Sequence, residues 1–175
     1  MTTPLRILWH SNAPWVPSGY GKQTKHALDI LSDLKHHKGA PIDEVALSAF
    51  YGLQGGRMEM GGRHVYGNPV SHKDPWGTTI VKHWYDDFKA NTLITLVDAW
   101  ILGDLWREMN WVPYFPIDHE PVPPQVMSTV QNARASIAMS EFGQDAAMAS
   151  GLRNVLYAPH CYDAAVIRPM DDAKR

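Results

Sequence analysis

Residues 5–24, LRILWHSNAPWVPSGYGKQT, decide the fold class. Leu5 to Trp9 is rich in apolar residues and reads as a buried strand. His10 to Thr24 is a polar loop with two prolines and two closely spaced glycines. From Tyr20 to His36 the pattern turns helical, with apolar residues at Ala27, Leu28, Ile30, Leu31 and Leu34. Strand, glycine loop and helix open a nucleotide-type α/β domain. The helix start offers free backbone N–H groups and a partial positive charge, which suits a phosphate or another anion.

The rest of the chain repeats the alternation. Strands are expected at Glu44–Phe50, Thr92–Val97, Val112–Ile117, Ser136–Met139 and Val155–Ala158. Pro113 and Pro116 make the third of these short or near an edge. Helices are expected over Trp76–Lys89, Ala99–Met109, Pro124–Ala133 and Glu141–Ser150, the last capped by Ser140 and closed by Gly151. The glycine-dense stretch between residues 51 and 69 predicts a hairpin, with Arg63–Tyr66 as one arm and turns at Gly55-Gly56 and Gly61-Gly62. The sum is an α/β domain with a Rossmann-like, doubly wound and mainly parallel sheet.

Composition narrows the function. A chain of 175 residues is one domain with room for a real core. A net charge of -2 argues against a basic nucleic-acid surface. The single cysteine, Cys161, allows no internal disulfide, makes a structural zinc site a poor reading, and is read as an inert thiol. No signal peptide and no apolar run near the roughly 20 residues of a membrane span is present. These features predict a soluble, cytoplasmic protein. The seven tryptophans mostly fill core or interface, while those near loops have the shape to stack on sugar rings.

Ligands of doubly wound sheets bind beyond the C-terminal ends of the strands. Four polar loops belong there: His10–Gln23, Asp98–Trp100, Asp118–Pro124 and Ser140–Gly143. In the first, Ser18, Gly19, Tyr20 and Gly21 either let backbone approach a ligand or make a tight turn without one. The spacing is not GxGxxG, so a dinucleotide is not expected. In the third, Asp118, His119 and Glu120 put three titratable groups in a proline-stiffened loop. A histidine there donates to a substrate, and a carboxylate fixes its tautomer. A capping loop with exposed charges is the plainer alternative. A metal-dependent hydrolase is a further one, without a spaced ligand set to support it. Asp98 caps the next helix or joins Trp100 at a pocket wall. Ser140 and Glu141 are explained by helix capping and the helix dipole, with a ligand role secondary.

With these residues in view, the chain resembles the N-terminal half of a two-domain GT-B-type glycosyltransferase, closest to the retaining family 4. RILWHSNAPWVPSGYGKQT is similar to that family's first strand and glycine loop. ARASIAMSEFGQDAAMASGLRNVLYAPHCYDAAVIRP is similar to its "S…G…PhGvD…F.P" passage, with Ser140, Gly151, Pro159, His160, Asp163 and Pro169 at motif positions. PYFPIDHEP stands where the family often ends a strand in a histidine. Three departures accompany these matches. Cys161-Tyr162 replaces glycine-valine, Ile167 replaces phenylalanine, and Gly19-Tyr20-Gly21 replaces a double glycine. Nothing matches the family's E-x7-E motif or its donor-binding second domain.

The resemblance implies a hexosyltransferase-type enzyme that moves a sugar from a nucleotide-sugar to an acceptor with retention. It implies a Rossmann-like domain over residues 1–160, with 161–175 opening an interdomain linker. The C-terminal donor-binding domain is absent, so a second domain or subunit supplies it and the isolated chain binds without turnover. Ser18, Gly19, Tyr20 and Gly21 would face the donor diphosphate. His119 would sit at the transferred sugar, oriented by Asp118 and Glu120. Asn12, Trp15, Asp98 and Trp100 would wall the acceptor site. No cofactor or metal is implied, because helix dipoles and basic residues meet the leaving diphosphate. The acceptor's identity stays open, a modified nucleobase included. A non-catalytic sugar- or nucleotide-binding module of the same fold is the alternative. The face that would meet the second domain carries Trp15, Tyr20 and the Pro121–Pro124 loop, so a homodimer or a self-associating monomer is expected.

Overall fold

The computed structural model describes residues 3–160, 162–164 and 166–168. Cys161 and Pro169 lie outside the described residues, as does the end of the expected linker. The elements run β1 (Leu5–Asn12), α1 (Gly19–His37), β2 (Ile42–Tyr51), β3 (Arg57–Met60), β4 (Arg63–Gly67), α2 (Val81–Asp87), β5 (Thr92–Leu96), β6 (Trp111–Phe115), α3 (Pro124–Val130), β7 (Ser136–Ala138), α4 (Glu141–Ala149) and β8 (Val155–Tyr157).

The strands form one sheet in the order β3-β4-β2-β1-β5-β6-β7-β8. Every pairing is parallel except β3 with β4. The order runs outward from β1 in both directions, so the sheet is doubly wound and its switch point lies between β1 and β5. This is the expected Rossmann-like α/β architecture.

Period-2 alternation splits the core into two layers. On one face Ile7, Trp9, Leu47 and Leu96 pack under Leu28 of α1. On the other, Leu8, Ala46, Leu93, Trp111 and Phe115 pack under α2, α3 and α4. The apolar stripe of α1 explains its single covered face. The shorter α3 and α4 bury Val130, Ala146 and Ala147 against the second layer.

The predicted hairpin forms, with Gly61 and Gly62 as its two-residue turn at φ +57° and +71°. Both values lie in the left-handed region that such hairpin turns require. Several expectations are corrected. Residues 99–109 are not an α-helix but two single 3-10 turns, Ala99–Ile101 and Leu105–Arg107. Gly103, at φ +59°, separates them. The helix expected over Trp76–Lys89 is confined to Val81–Asp87, because turns organised around Asp74 precede it. The β6 strand is short, as Pro113 suggested, yet it is interior, lying between β5 and β7. The Trp111 carbonyl accepts from the Arg134 amide on the β7 side. Pro113 turns its missing N–H to that same side, and pairing with β7 begins only at Tyr114. The lost donor therefore falls outside the ladder.

Candidate functional site at the carboxyl edge of the sheet

Strand β1 delivers the chain into the 13–18 loop, and α1 starts on the far side of it. Ser18 is the N-cap, its hydroxyl accepting from the Gly21 amide at 3.0 Å. Asn12, at the end of β1, donates to the same hydroxyl at 2.9 Å. Asn12 thus supports the loop from beneath, and Ser18 is occupied as a cap.

The two glycines do different jobs. A Cβ on Gly21 would stand 2.3 Å from the Val16 carbonyl oxygen and 3.0 Å from that of Ala13. Its bareness serves the turn itself. A Cβ on Gly19 would meet nothing within 4 Å. Gly19 leaves the helix start open, and its amide and that of Tyr20 have no intrahelical acceptor. Gly21→Ala is therefore expected to lower stability by about 1–3 kcal/mol, whereas Gly19→Ala leaves it unchanged or slightly raised. Thermal melts of the two variants check this, and equal melting temperatures would contradict it.

Helix α4 repeats the device. Ser140 caps it and accepts from the Gly143 amide at 2.9 Å. Gly143 packs close to Ile117, where a Cβ would be 3.2 Å from the Ile117 Cβ. Here Glu141 occupies the first turn and offsets the helix dipole with its own charge. The first turn of α1 has no acidic residue. Of the two helix starts, α1 is the one whose positive end no first-turn acid offsets.

Tyr20 reaches across the switch point. Burial, and then the negative charge of the nearby Asp98 carboxylate, push the Tyr20 hydroxyl well above its ordinary pKa. Asp98 makes no capping bond to the turn that follows it. The capping role expected for Asp98 is thus corrected: its carboxylate makes no cap bond and instead acts electrostatically on the Tyr20 hydroxyl of the glycine loop.

Asp98 also opens a cavity of about 520 Å³, together with Trp100, Ile117, Asp118, His119 and Gln125. His119 Nδ1 and Asp118 Oδ1 are 2.5 Å apart. That hydrogen bond is the first cause holding the Asp118 carboxyl below the usual carboxylate range. An ionised carboxylate only accepts, so Nδ1 carries the proton and Nε2 remains for a ligand. Both side chains are open, 69% and 85% exposed for His119 and Asp118. Glu120 is exposed and lies outside the cavity lining. Asp118 is the residue that touches the histidine.

The four residues expected at one acceptor wall are divided. Asp98 and Trp100 line the cavity with His119. Trp15 lines a second cavity, of about 630 Å³, on the β2 side of the glycine loop. Asn12 lines neither.

One residue of this edge escapes a reading of the sequence by segments. His10 lies within β1, not in the loop, and is fully buried. Its Nε2 is 2.9 Å from the Trp76 carbonyl and its Nδ1 is 3.0 Å from Ser48 Oγ. A carbonyl only accepts, so Nε2 carries the proton and the Ser48 hydroxyl donates to Nδ1. Burial, the leading cause, pushes its pKa down to about 4. The alternation Leu8-Trp9-His10 was the available signal, since it places His10 on the Leu8 face.

Among the described residues no three His, Cys, Asp or Glu side chains gather as they would around a metal ion. No helix among them is long and apolar enough to cross a membrane.

Comparison with known proteins gives one kind of match. No protein-family model matches the chain, and no curated protein does. Among solved structures, sucrose-phosphate synthase from Thermosynechococcus elongatus is similar, with a TM-score of 0.59 at 13% identity. The similarity covers 97% of this chain and 51% of the synthase, so the chain spans about half its length. The fold expected from the sequence is thereby met: a mainly parallel, Rossmann-like α/β sheet matching one half of a GT-B glycosyltransferase.

Proposed function

We propose that the chain is the acceptor-side half of a retaining glycosyltransferase, of the family 4 type, that moves a sugar from a nucleotide-sugar to an acceptor. One observation carries this reading. The uncompensated start of α1 and the Asp118–His119 pair flank the switch point of the same sheet edge, where Tyr20 and Asp98 interact. The likeness to half of a sucrose-phosphate synthase supports it.

In this reading residues 1–160 form the acceptor-side unit and 161–175 lead towards a donor-binding second unit or subunit. The Gly19 and Tyr20 amides and the α1 dipole face the donor diphosphate. Ser18 and Gly21 shape that turn, and Asn12 braces it. With its proton held on Nδ1 by Asp118, His119 turns the Nε2 lone pair to the transferred sugar, where positive charge develops in an oxocarbenium-like transition state. Asp118 orients it, and Glu120 adds negative charge at the rim. Asp98 and Trp100 wall the pocket, while Ser140 and Glu141 serve the start of α4, with a ligand role secondary. The leaving diphosphate is met by helix dipole and by basic residues of the second unit, so the reading calls on no metal and no cofactor.

The test is nucleotide release by the full-length gene product from a panel of UDP-, GDP- and ADP-sugars. Release that depends on His119 is the expected result. Saturable binding with no release from any donor would instead assign a non-catalytic binding module.

A further inference from the structure

The second cavity lies on the other side of the glycine loop from His119, and its lining differs in kind. No lysine, arginine, aspartate or glutamate lines it. Its walls include Trp15, 43% exposed, and Tyr51, 62% exposed, over Phe50. Gln54, Ser71 and His72 supply polar groups.

This cavity is built rather than incidental. The Trp15 indole N–H donates to the Gly52 carbonyl at 2.8 Å, which fixes the ring and leaves its surface uncommitted. Gly52 stands at φ +92°, and a Cβ there would lie 2.3 Å from Val16 Cγ2. Only glycine brings the end of β2 so close to the loop. The opposite wall is held as firmly. Asn68 donates to the Asp74 carbonyl at 2.7 Å, Asp74 accepts from the Thr79 amide and from the Thr78 and Thr79 hydroxyls, and His10 grips the Trp76 carbonyl. Gln54 reaches Ser71 Oγ at 3.3 Å across the rim.

A rigid aromatic wall with a polar rim free of lysine, arginine and carboxylates selects by chemistry. A phosphorylated or carboxylated ligand would lose hydration here and meet no lysine or arginine. A ring with an apolar C–H face and hydroxyls on its edge satisfies both surfaces. The volume of about 630 Å³ falls in the range of small-ligand pockets and accommodates one or two such rings. We infer that this cavity binds an uncharged saccharide, one ring stacked on Trp15 and Tyr51, as the acceptor of the transfer. The acceptor role rests on the glycosyltransferase reading; the binding itself does not.

The experiment titrates the chain with cellobiose, maltose and methyl β-glucoside, and in parallel with glucose 6-phosphate and thymidine. The ¹⁵N–¹H resonance of the Trp15 indole reports occupancy. A saturable shift with at least one neutral saccharide is expected, and none with glucose 6-phosphate. Trp15→Ala is expected to abolish saccharide binding and Tyr51→Ala to weaken it roughly tenfold. Tyr51 is exposed, so its truncation leaves the fold intact and keeps the test valid if Trp15→Ala misfolds. No saturable shift with any neutral saccharide would overturn the inference, as would tighter binding of the phosphate or of thymidine. Saccharide binding without transfer from any donor upholds the cavity and removes the transferase reading. Transfer whose acceptor KM is unmoved by Trp15→Ala does the reverse.

Discussion

His119→Ala is expected to lower kcat for nucleotide release by roughly 100- to 1000-fold, with little change in donor KM. The reason is geometric. His119 Nδ1 is committed to Asp118, so Nε2 is the one ring atom left to address a substrate. A lone pair that faces developing positive charge is worth most in the transition state, which puts its loss in kcat. The pair is open to solvent here, so on the proposed reading, in which a second unit would close over it, the effect is read on the full-length protein. Asp118→Asn is expected to cost less, because the amide still accepts from Nδ1 and preserves the ring's orientation. Steady-state kinetics on both variants decide the matter. Parental kcat in His119→Ala would remove the histidine from the mechanism.

The second large effect is on stability. Folding is expected to weaken steadily as pH falls from about 6.5 to about 4, by roughly 3 kcal/mol in all, through His10 alone. The sign follows from proton counts. Unfolded His10 titrates near 6.5, whereas the folded residue resists protonation until about 4. Between these values the unfolded state binds the extra proton, so acid favours it. Above about 6.5 neither state carries the proton, and the contribution is complete. The nearby Asp74 carboxylate and the hydrogen bonds to Trp76 and Ser48 oppose the shift, but burial outweighs them. His10→Gln keeps a donor for the Trp76 carbonyl and removes the titration. Denaturant melts across this window should show a slope in the parent that flattens in the variant. Parallel slopes would place the acid sensitivity elsewhere.

The fold was legible because its signals are local. Leu5–Trp9, Thr92–Leu96 and the α1 stripe are long or dense enough to identify their elements without tertiary information. Ser140 and Pro124 mark helix starts for reasons of capping chemistry, and both do so in the structure, whereas the capping role of Ser18 was not read from its loop. What escaped depends on distant neighbours. Nothing local says that Gly103 would turn left-handed and divide residues 99–109. Pro113 reads as an edge residue until the start of β7 is known to lie beyond it.

The site divides along the same line. The contact between Asp118 and His119 joins adjacent residues, and the sequence suggested it. The pairing of Tyr20 with Asp98 spans the switch point and changes the reading of both residues. The separation of Trp15 from Trp100 follows from the glycine loop standing between two cavities, which no spacing in the chain reveals. His10 was hidden by a strand end placed three residues too early.

The measurement to make is a chemical-shift titration of the labelled chain with UDP-glucose, GDP-mannose and ADP-glucose. It suits the weak binding expected of one half of a site. A nucleotide-sugar that shifts the Gly19 and Tyr20 amides and the His119 ring together, with one saturation curve, is the predicted result. It would make the α1 start and the Asp118–His119 pair parts of a single donor-facing site. Shifts confined to one of the two, or to neither at saturating ligand, would contradict that union and the proposed transfer with it.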